Sequence, residues 1–133
     1  MNEHSVLVVD DNLVNLKLAS DVLEFDGYRV LKATNAEAAH EIIRSVAPDL
    51  VLMDIGLPGM DGLALTRILK ASGDTRGTVV VALTAFAMKG DEALAREAGC
   101  DGYITKPIDT RTLSAVVASF LARGEATERG CGK

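Results

Sequence analysis

Short unbroken apolar runs alternate along this chain with longer segments of helical spacing. Val6-Leu7-Val8-Val9, Leu50-Val51-Leu52-Met53 and Thr78-Val79-Val80-Val81-Ala82-Leu83 have no polar face, the pattern of strands buried on both sides. The last is rich in β-branched residues and gives the firmest strand signal. Residues 28–33 mix Arg29 and Lys32 with apolar positions and predict an edge strand, and Gly102-Tyr103-Ile104-Thr105 predicts a short fifth strand. A first helix is expected over 12–26, with Val14, Leu18, Val22 and Phe25 on its core stripe and Gly27 as its stop. Thr34-Asn35-Ala36-Glu37 reads as a capping box opening a second helix, which buries Ala39, Ile42, Ile43 and Val46 and ends before Pro48.

A third helix uses Leu65, Ile68 and Leu69 and gives way at Gly73 and Gly77. The fourth, over 89–98, has Gly90 in its first turn and Leu94 as its single large apolar residue, so little burial holds it and mobility is expected. Asp109 caps a fifth, burying Leu113, Val116, Val117, Phe120 and Leu121 and stopping at Gly124. Strands alternating with helices predict an α/β fold with a parallel, doubly wound sheet and crossover helices. Residues 1–123 form the expected domain, and 124–133 a polar, disordered tail too short to be an effector domain.

The length of 133 residues fits one domain, and 48% hydrophobic with 25% charged residues is ordinary for a globular protein. No apolar stretch approaches a membrane span, and Met1-Asn2-Glu3-His4 lacks the features of a secretory signal, so a cytoplasmic address is expected. A net charge of -5 without a Lys/Arg cluster argues against direct nucleic-acid binding. The two cysteines lack metal-ligand spacing; Cys100 reads as a packed small residue and Cys131 as a free thiol in the tail.

Polar residues follow the strand-like runs: Asp10 and Asp11 the first, Asp54 the third, Thr84 the fourth, Lys106-Pro107 the fifth. In open parallel sheets the crevice beyond the carboxyl strand ends holds the ligand, so these side chains are expected at one rim. Neighbouring carboxylates either raise one another's pKa or share a cation. Oxygen donors without His or Cys favour Mg²⁺ or Mn²⁺. For Asp10-Asp11 an alternative is a helix N-cap, although a cap needs one Asp only. No helix follows Asp54 directly, which leaves nucleophile or metal ligand. A carboxylate can accept a phosphoryl group once its charge and the donor's are neutralised, and Lys106 and the Thr84 hydroxyl suit phosphoryl oxygens.

Val8-Val9-Asp10-Asp11-Asn12, Leu52-Met53-Asp54 with Pro58 four residues on, Leu83-Thr84-Ala85 and Lys106-Pro107 together resemble two-component response-regulator receiver domains, over about residues 5–123. The resemblance implies a (βα)5 flavodoxin-like fold of strand order 2-1-3-4-5, as in flavodoxin and CheY. It also implies that Asp54 is the phospho-acceptor and that Asp10, Asp11, Asp54 and the Gly56 carbonyl hold Mg²⁺ (or Mn²⁺). Thr84, Ala85 and Lys106 would contact the phosphoryl group, the Lys106-Pro107 bond would be cis, and Tyr103 would respond to Thr84. The stretch Thr84-Ala85-Phe86-Ala87-Met88-Lys89-Gly90-Asp91-Glu92, with Asn12 and Asn15, is similar to stand-alone receivers of the DivK kind, and hybrid-kinase receivers share much of it.

The implied function is a phosphorelay switch rather than a turnover enzyme. A histidine kinase or phosphotransfer protein would supply the phosphoryl group, and the surface of the fourth helix, fifth strand and fifth helix would then control binding of a downstream protein. Tyr103 has a plainer reading as an edge-strand packing residue. Leu13, Leu16 and Leu23 lie beyond the expected stripe of the first helix and fit either a partner helix or a wide core face. Two alternatives use similar ingredients: a receiver module of a hybrid histidine kinase, and a Mg²⁺-dependent phosphohydrolase with an aspartate nucleophile. Haloacid-dehalogenase-type hydrolases carry Asp-x-Asp after the first strand, whereas this chain has Asp10-Asp11-Asn12. A flavodoxin-like FMN module would need a Ser/Thr/Gly-rich phosphate loop there, and two aspartates would repel the phosphate.

Overall fold

In the computed structural model the described residues are 4–54, 62–73, 75, 77–84, 89–105 and 109–131. Strands β1 (Ser5–Val9), β2 (Arg29–Ala33), β3 (Leu50–Asp54), β4 (Val79–Thr84) and β5 (Gly102–Thr105) form one parallel sheet ordered β2-β1-β3-β4-β5. The implied order is therefore the observed one, and the charged strand β2 lies on the edge. Helices α1 (Leu13–Phe25), α2 (Ala36–Val46), α3 (Gly62–Ala71), α4 (Lys89–Ala98) and α5 (Leu113–Cys131) connect and cover the strands. Among the described residues no helix is long and apolar enough to cross a membrane.

Alternate residues of the unbroken runs feed two cores. Val6, Val8, Leu50, Leu52, Val81 and Leu83 pack with Leu16, Ala19 and Leu23 of α1 and Leu113, Val117 and Leu121 of α5. Leu7, Val9, Val51, Met53 and Val80 pack with Ala39 and Ile43 of α2 and Leu65 and Leu69 of α3. This two-faced burial explains why β1, β3 and β4 have no polar stripe. Cys100 is packed against the second core, as its size and neighbours predicted.

The phase of α1 differs from the expected one. Its buried residues are Leu16, Ala19, Ser20 and Leu23, whereas Val14, Leu18 and Phe25 are 74%, 40% and 90% exposed. Apolar residues occur all around this helix, so spacing alone offers two faces. The small Ala19 and Ser20 occupy the buried one, and the Ser20 hydroxyl is satisfied by donating to the Leu16 carbonyl (2.6 Å). Leu16 and Leu23 thus belong to the core, not to a surplus face. Gly27, at φ 93, ends α1 as expected.

Several boundaries also shift. Asn35, not Thr34, caps α2, its Oδ1 accepting from the Ala38 amide at 2.7 Å. Val46 and Ile68, expected inside, are 47% and 41% exposed. α5 does not stop at Gly124 but continues to Cys131. An internal glycine costs about 1 kcal/mol relative to alanine and need not end a helix followed by good helix formers such as Glu125, Ala126 and Glu128. At its start the Asp109 carbonyl accepts from Leu113 N, and the Asp109 carboxylate accepts from Arg111 N at 2.9 Å. That bond, followed by the Arg111 guanidinium, holds the Asp109 carboxyl below the usual range.

Candidate metal centre

The register of the sheet brings the strand ends together. Val9 pairs with Met53, Asp54 with Leu83 and Thr84 with Thr105, so the carboxyl ends of β1, β3, β4 and β5 lie along one rim. Asp10 continues β1 by donating its amide to the Ala33 carbonyl at 3.1 Å. Its Oδ1 accepts from the Asn12 amide at 2.9 Å. Asn12 in turn caps α1, its Oδ1 accepting from Val14 N at 2.9 Å and Asn15 N at 3.2 Å. The cap role considered for the aspartates therefore belongs to Asn12.

Asp10 and Asp54 are buried and Asp11 is exposed, and one carboxylate oxygen of each lies within 4.8 Å of the others. At such separations and an effective dielectric near 20, repulsion is on the order of 3 kcal/mol per charged pair. A divalent cation removes that repulsion, and a set of carboxylate oxygens with an exposed member open to water fits Mg²⁺, which keeps several waters and takes one or two carboxylates. Among the described residues this is the one acidic, His or Cys group close enough to share an ion.

Asp54 owes part of its position to Gly62. A Cβ on Gly62 would lie 2.5 Å from the Asp54 carbonyl oxygen and 2.8 Å from Met53 Cγ, so only glycine lets α3 begin this close to the end of β3. Sequence reasoning missed both Gly62 and the bond from Asn12 to Asp10. The cap was legible as an Asn directly before the first periodic apolar residue, but the approach of α3 to β3 leaves no local pattern.

Thr84 ends β4 and stands beside Thr105 in the ladder, and its side chain lies outside the described residues, as do Gly56, Ala85, Lys106 and Pro107. Tyr103 lies on β5 and is 38% exposed. A groove of about 420 Å³ runs beside it, lined by Ala95, Arg96, Cys100, Asp101, Gly102 and Phe120. The Phe120 ring covers Gly102 closely, with its Cζ 2.2 Å from where a Cβ would stand. Burial raises the Cys100 thiol pKa.

A family model for the response regulator receiver domain matches residues 6–118. The chain belongs to the response-regulator receiver family. It is 44% identical over 117 residues to the polar-differentiation response regulator DivK of Brucella anthropi, covering 88% of this chain and 95% of that protein. A CheY-like receiver domain protein from Methanospirillum hungatei superposes with a TM-score of 0.86 at 29% identity, covering 95% of this chain and 99% of that one. The receiver domain of NtrX from Brucella abortus gives 0.81 at 30% identity, over 88% and 98% of the two chains. Receivers are signalling switches that accept phosphoryl groups from histidine kinases or phosphotransfer proteins and bind Mg²⁺ at an acidic pocket. The acidic rim of this receiver is such a pocket in composition and position.

Proposed function

We propose that this receiver is a phosphorelay switch of the stand-alone DivK kind, with residues 1–123 as the switching domain and Asp54 as the phospho-acceptor. The observation that carries the reading is the gathering of Asp10, Asp11 and Asp54 at the carboxyl end of the sheet. Asp54 is the member that ends a strand without capping a helix, and its carboxylate projects from the same rim as Thr84 and the strand that leads to Lys106.

In the transfer, a carboxylate oxygen of Asp54 attacks the phosphorus of a phosphohistidine. The new O–P bond forms as the P–N bond breaks, and the imidazole leaves with the bonding electrons and takes up a proton. Asp10 and Asp11, with the Gly56 carbonyl, would hold the cation. Bound Mg²⁺ (or Mn²⁺) supplies the charge neutralisation that lets two anions approach. Lys106 would add a compact positive charge, and the Thr84 hydroxyl and Ala85 amide would donate to phosphoryl oxygens. Asn12 keeps Asp10 oriented through its amide.

Phosphorylation adds charge and strong acceptors at the rim, and the Thr84 hydroxyl would be the neutral donor that follows them. Movement of Thr84 changes the space available to Tyr103, which couples the site to the surface of α4, β5 and α5 and thereby to a downstream protein. The α1 face fits the upstream partner: Leu13, Val14 and Leu18 are exposed beside the rim, the apolar surface that a kinase or phosphotransfer helix would cover.

Incubation with acetyl phosphate and Mg²⁺, followed by intact mass, tests the reading. One hydroxylamine-labile phosphoryl group is expected, with none after chelation of the metal. The Lys106→Ala variant is expected to bind Mg²⁺ yet leave the Tyr103 environment unchanged on labelling. A change in Tyr103 as large as in the wild type removes Lys106 from the coupling role.

A further inference from the structure

The two halves of α4 differ in composition. Ala95 and Ala98, in its second half, are buried, and the helix packs on α3 and β5. Its first half is Lys89-Gly90-Asp91-Glu92-Ala93, without a large apolar residue. Beyond its carboxyl end the chain enters a closed polar cluster. Gly99 N donates to the Arg96 carbonyl at 3.0 Å and Cys100 N to the Ala95 carbonyl at 2.9 Å, with Gly99 at φ 104. Asp101 N donates to the Val80 carbonyl at 2.7 Å, and Asp101 Oδ2 accepts from Val80 N at 2.8 Å, so a single residue brackets β4. Lys70 of α3 completes the cluster, its Nζ donating to Asp101 Oδ2 at 3.0 Å and to the Thr78 carbonyl at 2.7 Å. The stem of Lys70 passes over Gly99, with Cγ 2.8 Å from where a Cβ would stand.

One lysine therefore joins the end of α3, the start of β4, the residue after α4 and the approach to β5. Its side chain is 20% exposed and that of Asp101 41%, and the two acceptors named come from separate elements. We infer that the Lys70–Asp101 clamp is the fixed pivot of α4, so that a change at the rim swings the amino end of the helix while its carboxyl end stays bound to α3 and the sheet. The inference rests on the switch proposed above and adds a mechanical part to it. Lys70 and Asp101 are positioning residues, far along the strands from the carboxylates, and touch no phosphoryl group. The groove beside Tyr103 lies between the pivot and α5, so rotation about the clamp reshapes it from one side.

Native-state hydrogen exchange by NMR, before and after labelling with acetyl phosphate and Mg²⁺, tests this, with intact mass taken on the same samples. In the wild type the amides of Gly99, Cys100 and Asp101 are expected to keep their protection on labelling, while those of Ala93 and Leu94 change by about an order of magnitude. Lys70→Met keeps the stem and removes the charge and donors. In unlabelled protein it is expected to speed exchange at the three clamp amides about tenfold, with Leu7 and Val51 in the central strands unchanged. In labelled Lys70→Met the change spreads from Ala93 and Leu94 through Asp101. Clamp amides that respond to labelling as strongly as Ala93 and Leu94 overturn the pivot. So does a Lys70→Met variant with wild-type protection at the clamp, or one in which all amides, central strands included, loosen together. Absence of the phosphoryl mass overturns the assignment of Asp54 instead, and the unlabelled Lys70→Met comparison then decides the clamp by itself.

Discussion

Asp10 and Asp54 leave adjacent parallel strands side by side, both buried, each with a carboxylate oxygen within 4.8 Å of the other and of Asp11. Two ionised groups so placed destabilise the fold unless a cation joins them. Mg²⁺ is therefore expected to raise the melting temperature of the wild type, by an amount equivalent to about 2.7 kcal/mol at a concentration 100 times Kd. The Asp10→Asn, Asp54→Asn double variant is expected to be more stable than the wild type without metal and to gain nothing from Mg²⁺. Differential scanning calorimetry with and without chelator checks both; a metal response retained by the double variant removes these residues from the metal site.

Asn12 serves two structures at once, capping α1 through its side chain and orienting Asp10 through its amide. Asn12→Ala removes the cap but keeps the amide. A loss of about 1 kcal/mol in urea unfolding is expected, with Mg²⁺ affinity changed much less than by Asp10→Asn.

Gly62 lets α3 begin against the backbone of Asp54. In Gly62→Ala the new methyl displaces either the helix or the strand end, at a cost of about 1–3 kcal/mol. Labelling by acetyl phosphate is expected to slow in the same variant, because the displaced backbone carries the proposed acceptor, Asp54. Wild-type labelling in a destabilised Gly62→Ala protein shows that this contact supports the fold alone.

Much of this was legible in the chain. The two-faced runs at β1, β3 and β4, the charged edge of β2 and the carboxylates after β1 and β3 are local patterns with local physical causes. The phase of α1 was not legible, because apolar residues surround it and the choice between Val14-Leu18-Phe25 and Leu16-Ala19-Leu23 is made by how closely the helix approaches the sheet. The end of α5 was misjudged because a glycine stop is a weak preference. Gly62 matters through how closely α3 approaches the end of β3, and the Lys70–Asp101 clamp joins residues 31 apart, and no spacing rule reports either.

Burial raises the pKa of Cys100, so the folded state favours the neutral thiol. Its contribution to stability is complete below the unfolded thiol pKa of about 8.5 and is lost as pH rises through the folded value. With Cys131 replaced by Ser throughout, stability is expected to fall as pH rises above about 8.5, and Cys100→Ala is expected to flatten that slope. Equal slopes for the two proteins mean that the thiol does not contribute.

Asp54 is proposed to take the phosphoryl group while Asp10 and Asp11 serve it. Intact mass spectrometry of the wild type and of Asp54→Asn, after incubation with acetyl phosphate and Mg²⁺, tests this most directly. One added phosphoryl group in the wild type and none in the folded variant is the predicted result; an Asp54→Asn protein labelled as fully as the wild type contradicts the assignment.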